Sequence, residues 1–216
     1  MPQKVLLFGD NAYPFHRLEE MEAPLRGALG PDPDIVSSTN PDDLLTLDQY
    51  DVIVDYTTDT GWTDAQIAAL DDYVSGGGGY LGIHCATVLD SIASADPDET
   101  STKREEPQPI LRKLIGGHFI GHPEQSEFVV RIEVDHPVTN GVEDFPVFDE
   151  PYRMSVADDI TVLARMDHPD LDTHPVVWVR EHGNGRVCYI SIGHTEEVLE
   201  ASETRRLIQN ALTWVD

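Results

Sequence analysis

The stretch Gly-Tyr-Leu-Gly-Ile-His-Cys-Ala-Thr at positions 79–87 decides the fold class of this 216-residue chain. Its first half is a short apolar run, which predicts a strand buried on both faces. Gly82 and Ala86 flank His84 at positions −2 and +2. This is the pattern of a nucleophile elbow, a sharp turn after a strand that exposes the central side chain. In open parallel sheets the ligand crevice lies at the carboxyl ends of the strands, so His84 is the first candidate site residue.

Apolar runs and helix signals alternate on both sides of this stretch. Further strands are predicted at 4–9, 34–37, 51–56, 127–134, 160–164, 176–180 and 186–192. Helices are predicted at 16–29, 63–75 and 203–215. Alternating strands and helices predict a parallel sheet with helices on both faces, and the short links in the second half predict an antiparallel extension. We expect one α/β domain over residues 1–216, a flavodoxin-like three-layer sandwich with a mostly parallel central sheet.

Acidic side chains dominate the charge, with 40 Asp and Glu against 14 Lys and Arg and a formal net charge of −26. A surface that binds nucleic acid needs clustered cations, and the scattered ones here exclude nucleic acid as a partner. Hydrophobic residues make up 40% of the chain and lie in periodic runs, which argues against disorder. The acidity resembles that of halophilic proteins, in which salt screens self-repulsion, so we expect an acidic protein stabilised by salt.

The sequence predicts neither membrane insertion nor export. No apolar run approaches the roughly 20 residues that a spanning helix needs, and the N-terminus lacks a basic and then apolar signal. We therefore expect a cytoplasmic protein without a membrane partner. Cys85 and Cys188 lie in separate apolar runs, and in a cytoplasm we expect both to be reduced thiols.

A second strand also ends in a histidine. The run Tyr-Ile-Ser-Ile at 189–192 is followed by Gly193 and His194, with Glu196 two residues further on. Because parallel strands bring their carboxyl ends to one edge of the sheet, His84 and His194 are predicted to share a cleft.

Several longer stretches carry a resemblance to a known family. They are residues 77–86, 116–123, 135–141, 149–152, 175–180 and 185–195. In these stretches the chain resembles the ThuA-like (trehalose utilisation) family, which adopts the class I glutamine amidotransferase-like fold. The resemblance implies carbohydrate processing, with an oxidised (3-keto) disaccharide of trehalose-type catabolism as the expected kind of substrate.

The resemblance also implies what this chain does not do. The wider superfamily uses a cysteine at the elbow centre and a His-x-Glu pair after a late strand, and His194 and Glu196 match that pair. The elbow centre is His84, and an imidazole cannot form the thioester of glutamine hydrolysis, so we expect no glutaminase activity. Cys85, one residue on, remains open as a displaced nucleophile of a hydrolase.

We predict acid-base chemistry by histidines and carboxylates. His84 and His194 would be the proton-transfer pair or metal ligands, Glu196 would orient His194, and Glu150 would be a base. A divalent metal (Zn, Ni or Mn) would take its ligands from His16, His84, His122, His194 and Glu150. The alternative is a metal-free site whose histidines bind sugar hydroxyls.

The remaining candidates would bind the substrate, and they are Asp10, Asn11, His118, Asp149 and Tyr152. His118 and His122 lie in a glycine-rich segment that we expect to form a loop over the cleft. The expected partner is a small sugar, and a homodimer is compatible with a compact domain of this kind. The chain is either a lyase, isomerase or hydrolase of carbohydrates, or a non-catalytic module that binds sugars or other partners.

Overall fold

The computed structural model describes residues 2–94 and 102–216, and within these residues the chain alternates strands and helices. The strands are β1 (Lys4–Gly9), β2 (Asp34–Ser38), β3 (Val52–Tyr56), β4 (Gly79–Ile83), β5 (Ser91–Ile92), β6 (Thr102–Lys103), β7 (Gly117–Gly121), β8 (Ser126–Ile132), β9 (Phe145–Asp149), β10 (Arg153–Val156), β11 (Thr161–Asp167), β12 (Pro175–His182) and β13 (Gly185–Ile190). The α-helices are α1 (Leu18–Leu29), α2 (Asp64–Ser75), α3 (Pro109–Ile115), α4 (Glu196–Glu200) and α5 (Ser202–Val215).

Nine of the described strands form one sheet in the order β2-β1-β3-β4-β13-β12-β11-β8-β9. The first five are parallel to one another, and each pair from β13 to β9 is antiparallel. The parallel strands follow the flavodoxin-like order, with β13 in the place of the fifth strand. The α/β class, the parallel core and the antiparallel extension are therefore confirmed.

The sheet is covered on both faces because its central strands are apolar throughout. In β1, Val5 and Leu7 belong to one hydrophobic cluster, whereas Leu6 and Phe8 belong to the other, as the two-residue period of a strand requires. Helices α1, α4 and α5 cover the first face, and α2 and α3 cover the second. This gives the three layers that the sequence predicts.

Local signals in the sequence place several elements correctly. Thr63 and Gln66 form the predicted capping box at the start of α2. The turn at 183–184 joins β12 to β13 in the predicted antiparallel hairpin. None of the described helices combines the length and the hydrophobicity that crossing a membrane would need.

The segment that carries His118 differs from its prediction as a loop. Residues Gly117–Gly121 form strand β7, which pairs antiparallel with β10 in a separate two-stranded sheet. Pairing with β10 gives hydrogen-bond partners to backbone N–H and C=O groups that a loop would leave to solvent. In addition, the partly buried Phe119 packs against both hydrophobic clusters. The segment still borders the cleft, but as a strand that is paired with β10.

Candidate metal and carbohydrate site

Histidines that follow three strands meet at the carboxyl edge of the parallel sheet. His84 follows β4, His194 follows its neighbour β13, and His16 lies beyond β1. Glu150, which follows β9, reaches the same point, so that one donor atom from each of these residues lies within 4.8 Å of the others. We call His16, His84, His194 and Glu150 the His/Glu cluster.

The donor atoms of the His/Glu cluster are closely spaced. The Nε2 of His16 lies 2.9 Å from the Nδ1 of His194 and 3.1 Å from the Nε2 of His84. The Oε2 of Glu150 lies 3.3 Å from both His84 Nε2 and His194 Nδ1. Four ligands held about 2.0–2.1 Å from a tetrahedral ion are separated from one another by about 3.3 Å, so this spacing suits a first-row divalent cation.

The tautomer of His84 is fixed by its surroundings. Its Nδ1 lies 2.8 Å from the carbonyl oxygen of Ser191, which can only accept, so Nδ1 carries the proton and donates it. The Nε2 lone pair then points into the cluster. A backbone carbonyl that accepts from one ring nitrogen in this way commonly orients a histidine that binds a metal through the other.

His16 also presents a neutral ring to the cluster. Its Nδ1 lies 3.1 Å from the hydroxyl of Thr58, and its Nε2 faces His84 and His194. Burial, together with those two histidines, lowers the pKa of His16 to about 2. The nitrogens of His16, His84 and His194 thus meet at one buried point, where a cation could take the place of a proton shared between neutral rings.

Glu150 supplies the negative charge of the cluster. Burial opposes its ionisation, but a hydrogen bond from His194 and the proximity of the histidine rings outweigh burial and lower the pKa of Glu150. Burial likewise disfavours the charged form of His194, and the contact with Glu150 outweighs it and raises the pKa of His194. His122 lies at the margin, with its Nε2 3.6 Å from Glu150 Oε2.

Two of the clustered histidines have strained backbones. His84 has a φ of 46° and His16 a φ of 55°, in the left-handed region that residues with a Cβ rarely adopt. A hydrogen bond of 2.6 Å from the Tyr189 hydroxyl to the His84 carbonyl helps to hold the first of these turns. Strain of this kind costs about 1–3 kcal/mol and persists mainly at functional sites. The predicted sharp turn is therefore present, but the His84 side chain is fully buried, so the turn does not expose it, and a single 3₁₀ turn, His84–Thr87, follows in place of an α-helix.

A cleft of about 650 Å³ opens above the His/Glu cluster. Its walls are largely aromatic: Tyr13 stacks on Phe15 with centroids 5.4 Å apart, and Phe119 and Tyr152 are in contact at 4.4 Å. Aromatic faces of this kind are suited to the C–H surfaces of a small polar ligand. Lys103 also lines the cleft and lies 3.5 Å from Asp90.

Tyr152 connects the aromatic wall to the cluster. Its ring stacks on His84 with centroids 4.3 Å apart, and its hydroxyl lies 2.9 Å from His84 Nε2. Because that nitrogen has no proton, the Tyr152 hydroxyl is the donor, and a metal bound at His84 Nε2 would take the place of this hydrogen bond. Tyr152, predicted to bind substrate, therefore lies where a ligand in the cleft would meet the cluster.

Other predicted substrate-binding residues lie behind the cleft. The carboxylate of Asp10 accepts the backbone N–H groups of Ala12, Thr58 and Asp59 and so holds the loop that supports His16. Asn11 accepts the N–H of Glu19 at the start of α1. Their contacts are with the protein backbone, and neither lines the cleft.

Three further candidates also lie apart from the cluster. His118 is half-buried on β7 and does not line the cleft, and its Nδ1 has no hydrogen-bond partner among the described residues. Glu196 is exposed in the first turn of α4, and the carboxylate beside His194 is that of Glu150. Cys85 is fully buried, and burial raises the pKa of its thiol well above the ordinary value.

Sequence reasoning did not single out several residues that line the cleft. They are Tyr13, Pro14, Phe15, Thr58, Val88, Ser91, Lys103 and Phe119. Phe15 could have been noticed as the neighbour of His16. The others carry no local signal, because such residues occur as often in packing contacts between elements as they do in the walls of a ligand site.

A family model described as trehalose utilisation, ThuA, matches residues 34–215. The chain belongs to the ThuA family. The match includes His84, Glu150 and His194 of the His/Glu cluster, whereas His16 precedes it. A comparison with curated proteins found no matching sequence.

Solved structures similar to this ThuA-family chain share its fold at low sequence identity. A ThuA-like protein from Bacteroides uniformis is 21% identical with a TM-score of 0.75, covering 99% of this chain and 91% of its own. A ThuA-like protein from Parabacteroides merdae is 18% identical with a TM-score of 0.73, covering 100% and 90%. A Salmonella typhimurium structure described as cytoplasmic protein STM1381 is 15% identical with a TM-score of 0.65, covering 99% and 100%. Identities this low establish the fold alone.

Proposed function

We propose that this ThuA-family chain is a carbohydrate-processing enzyme that acts on an oxidised sugar, such as a 3-keto-disaccharide, with the help of a divalent metal. The observation that carries the proposal is the convergence of three imidazole nitrogens and one carboxylate oxygen at the base of an aromatic cleft. The family description, trehalose utilisation, supports a sugar as the substrate.

The residues of the His/Glu cluster fit a divalent cation. Neutral imidazoles bind Zn, Ni or Mn, and the Glu150 carboxylate adds a negative charge. Bound there, the metal would act as a Lewis acid toward a carbonyl or hydroxyl oxygen of the substrate.

The aromatic cleft fits a neutral sugar ring. Phe15 is 47% exposed beside His16, so an apolar sugar face could pack on it without displacing other side chains. The formal charge of −26 favours a neutral ligand over an anionic one.

His122 and Tyr152 are the groups placed to move protons at the substrate. The Nδ1 of His122 donates to the carbonyl of Pro123 at 2.7 Å, which leaves its Nε2 facing Glu150 and the cleft. The Tyr152 hydroxyl lies between the cleft and His84. A positioned acid or base of this kind contributes about 10²–10⁴-fold to a rate.

A nucleophilic thiol is not favoured. The elbow centre holds the His84 imidazole, and Cys85 beside it is fully buried with a raised pKa. A thiol must be ionised and accessible to attack. We therefore propose neither glutamine hydrolysis nor a Cys85 hydrolase.

We further propose that the protein works in the cytoplasm. Cys85 and Cys188 are free thiols, which is compatible with a reducing compartment. Whether two copies associate is a separate question, which light scattering at high salt would answer.

The test combines metal analysis with turnover. Protein purified without chelator would be assayed for bound metals, stripped, and titrated with Zn²⁺, Ni²⁺ and Mn²⁺ by calorimetry. We expect one ion per chain in the wild type, and at least tenfold weaker binding in His16→Ala and His84→Ala. His168→Ala is the matched control, because His168 lies outside the cluster beside Ser126.

Turnover of 3-keto-disaccharides by the metal-loaded protein would complete the test. Loss of turnover in the cluster variants, with His168→Ala unaffected, would support the proposal. Metal and sugar binding without turnover would instead identify a binding module. A wild type that binds no divalent ion would refute the metal assignment.

A further inference from the structure

Asp149 is a fully buried carboxylate directly before Glu150, at the end of strand β9. Burying a charge is costly unless hydrogen bonds compensate for it. The partners of Asp149 lie in the two segments that carry the carboxylate and the last histidine of the His/Glu cluster. This placement connects Asp149 to the site without contact with the cleft.

The two oxygens of Asp149 bind different segments. Oδ1 accepts the backbone N–H of Glu150 at 2.8 Å. Oδ2 accepts the N–H of Gly193 at 2.8 Å and, more distantly, that of His194 at 3.5 Å. One side chain therefore fixes the backbones of Glu150 and His194 relative to each other, although they are far apart in the chain.

The peptide of Gly193 is held from its other side as well. The Tyr56 hydroxyl donates to the Gly193 carbonyl at 3.0 Å. Gly193 has a φ of +137°, and a Cβ there would lie 3.1 Å from Ile83 and 3.3 Å from Leu199. The turn that delivers His194 is thus specified by glycine, by Tyr56 and by Asp149 together.

The charge of Asp149 also matches the proposed cation. All its hydrogen-bonding partners are N–H donors, and a protonated carboxyl would also need an acceptor for its own proton, so these contacts favour the carboxylate form. Imidazoles that bind a metal through their lone pairs are neutral and contribute no charge, so with a metal bound Glu150 and Asp149 would together give the site two negative charges. That total balances a divalent ion.

We propose that Asp149 is a positioning residue that sets the geometry of Glu150 and His194 and supplies the second negative charge of a divalent metal site. The inference rests on the proposed metal binding. Loss of such an outer-shell partner typically weakens metal binding by 10–100-fold.

The test compares Asp149→Asn with Asp55→Asn. Asp55 is another buried carboxylate of the same sheet, and its hydrogen bonds go to Thr57 and Tyr80, neither of which belongs to the cluster. The Kd for Zn²⁺ and Mn²⁺ would be measured by calorimetry on the full chain. We expect it to rise 10–100-fold in Asp149→Asn and to change less than threefold in Asp55→Asn.

Amide hydrogen exchange on the metal-free chain is a second readout, independent of the metal. Asp149→Asn should accelerate exchange at one of the amides of Glu150 and Gly193, since the Asn side chain keeps only one of the two acceptor oxygens, while the amides of β1 keep their protection. Asp149→Ala would be measured too, because it removes both oxygens without placing an amide N–H against the backbone donors.

The outcomes separate this inference from the proposed function. If the wild type binds no divalent ion, the proposed metal site and the role of Asp149 are both refuted. If the wild type binds and Asp149→Asn binds equally well, only the role of Asp149 is refuted. If neither Asp149 variant folds at high salt, Asp149 is a folding determinant, and its assignment as a positioning residue is rejected.

Discussion

The Nε2 of His84 lies 3.1 Å from the Nε2 of His16, although 68 residues separate them in the chain. Two imidazole nitrogens at this distance need either a shared proton or a shared cation. The His84 proton lies on Nδ1, toward Ser191, so a shared proton would be the single proton of a neutral His16, carried on its Nε2. A divalent cation bound between the two nitrogens in place of that proton is the alternative that we propose.

The two candidate carboxylates should differ sharply when each is replaced. Glu150→Gln should weaken binding of a divalent cation at least tenfold, about 1.4 kcal/mol, because Glu150 is in contact with His84 and His194. Glu196→Gln should leave the affinity within about twofold, since Glu196 is exposed on α4. Calorimetric titration of both variants checks this. Equal losses of affinity in the two variants would instead support the role that the sequence predicts for Glu196, which is to orient His194.

Asp55 should make stability depend on pH. Burial raises the pKa of Asp55 to about 6, against the opposing hydrogen bonds of Thr57 and Tyr80. The folded chain thus favours the neutral acid, and the contribution of Asp55 to stability is present below about pH 4 and lost as the pH rises through about 6. We expect the stability of Asp55→Asn relative to wild type to increase by about 2 kcal/mol from pH 4 to pH 7.

Urea unfolding at constant ionic strength, at intervals between those pH values, measures this difference. Asp48→Asn removes an exposed carboxylate and is the matched control. A difference between Asp55→Asn and wild type that stays constant with pH would show that Asp55 does not titrate in this range.

Both thiols should be unreactive in the folded protein. Cys85 and Cys188 are fully buried, and burial raises the pKa of each. We expect a thiol-specific chromophoric reagent to label them at least about a hundredfold more slowly than in concentrated guanidinium chloride, where two thiols per chain should react. Rapid labelling of Cys85 alone, if a sugar ligand prevented it, would support the alternative that Cys85 is the nucleophile of a hydrolase.

Salt should stabilise the fold. At a formal charge of −26, repulsion between carboxylates favours expansion, and added ions screen it. We expect the melting temperature to rise by roughly 5 °C or more between low salt and molar KCl. Sodium perchlorate below about 0.3 M should act in the same direction, because screening does not depend on the identity of the ion. A flat response to KCl would contradict the interpretation as a halophilic protein.

The elements could be predicted because their signals are local. The apolar run before His84 has the length and closure of a buried strand, and Thr63 with Gln66 specifies the start of α2 within four residues. The segment at 117–121 could not be placed in the same way. Its partner, β10, lies more than thirty residues further on, and pairing between distant strands leaves no trace in either one.

The sequence by itself determined the parallel core, the elbow at His84 and the family, since each depends on short patterns that neighbouring residues enforce. It also named the four residues of the His/Glu cluster among a larger set of candidates. Only the tertiary structure decided which donor atoms converge, that Glu150 rather than Glu196 faces His194, and that Asp149 lies behind the site. Side-chain charge and spacing are encoded locally, whereas burial and contact arise where strands distant in sequence, such as β1, β4, β9 and β13, bring their ends to one point.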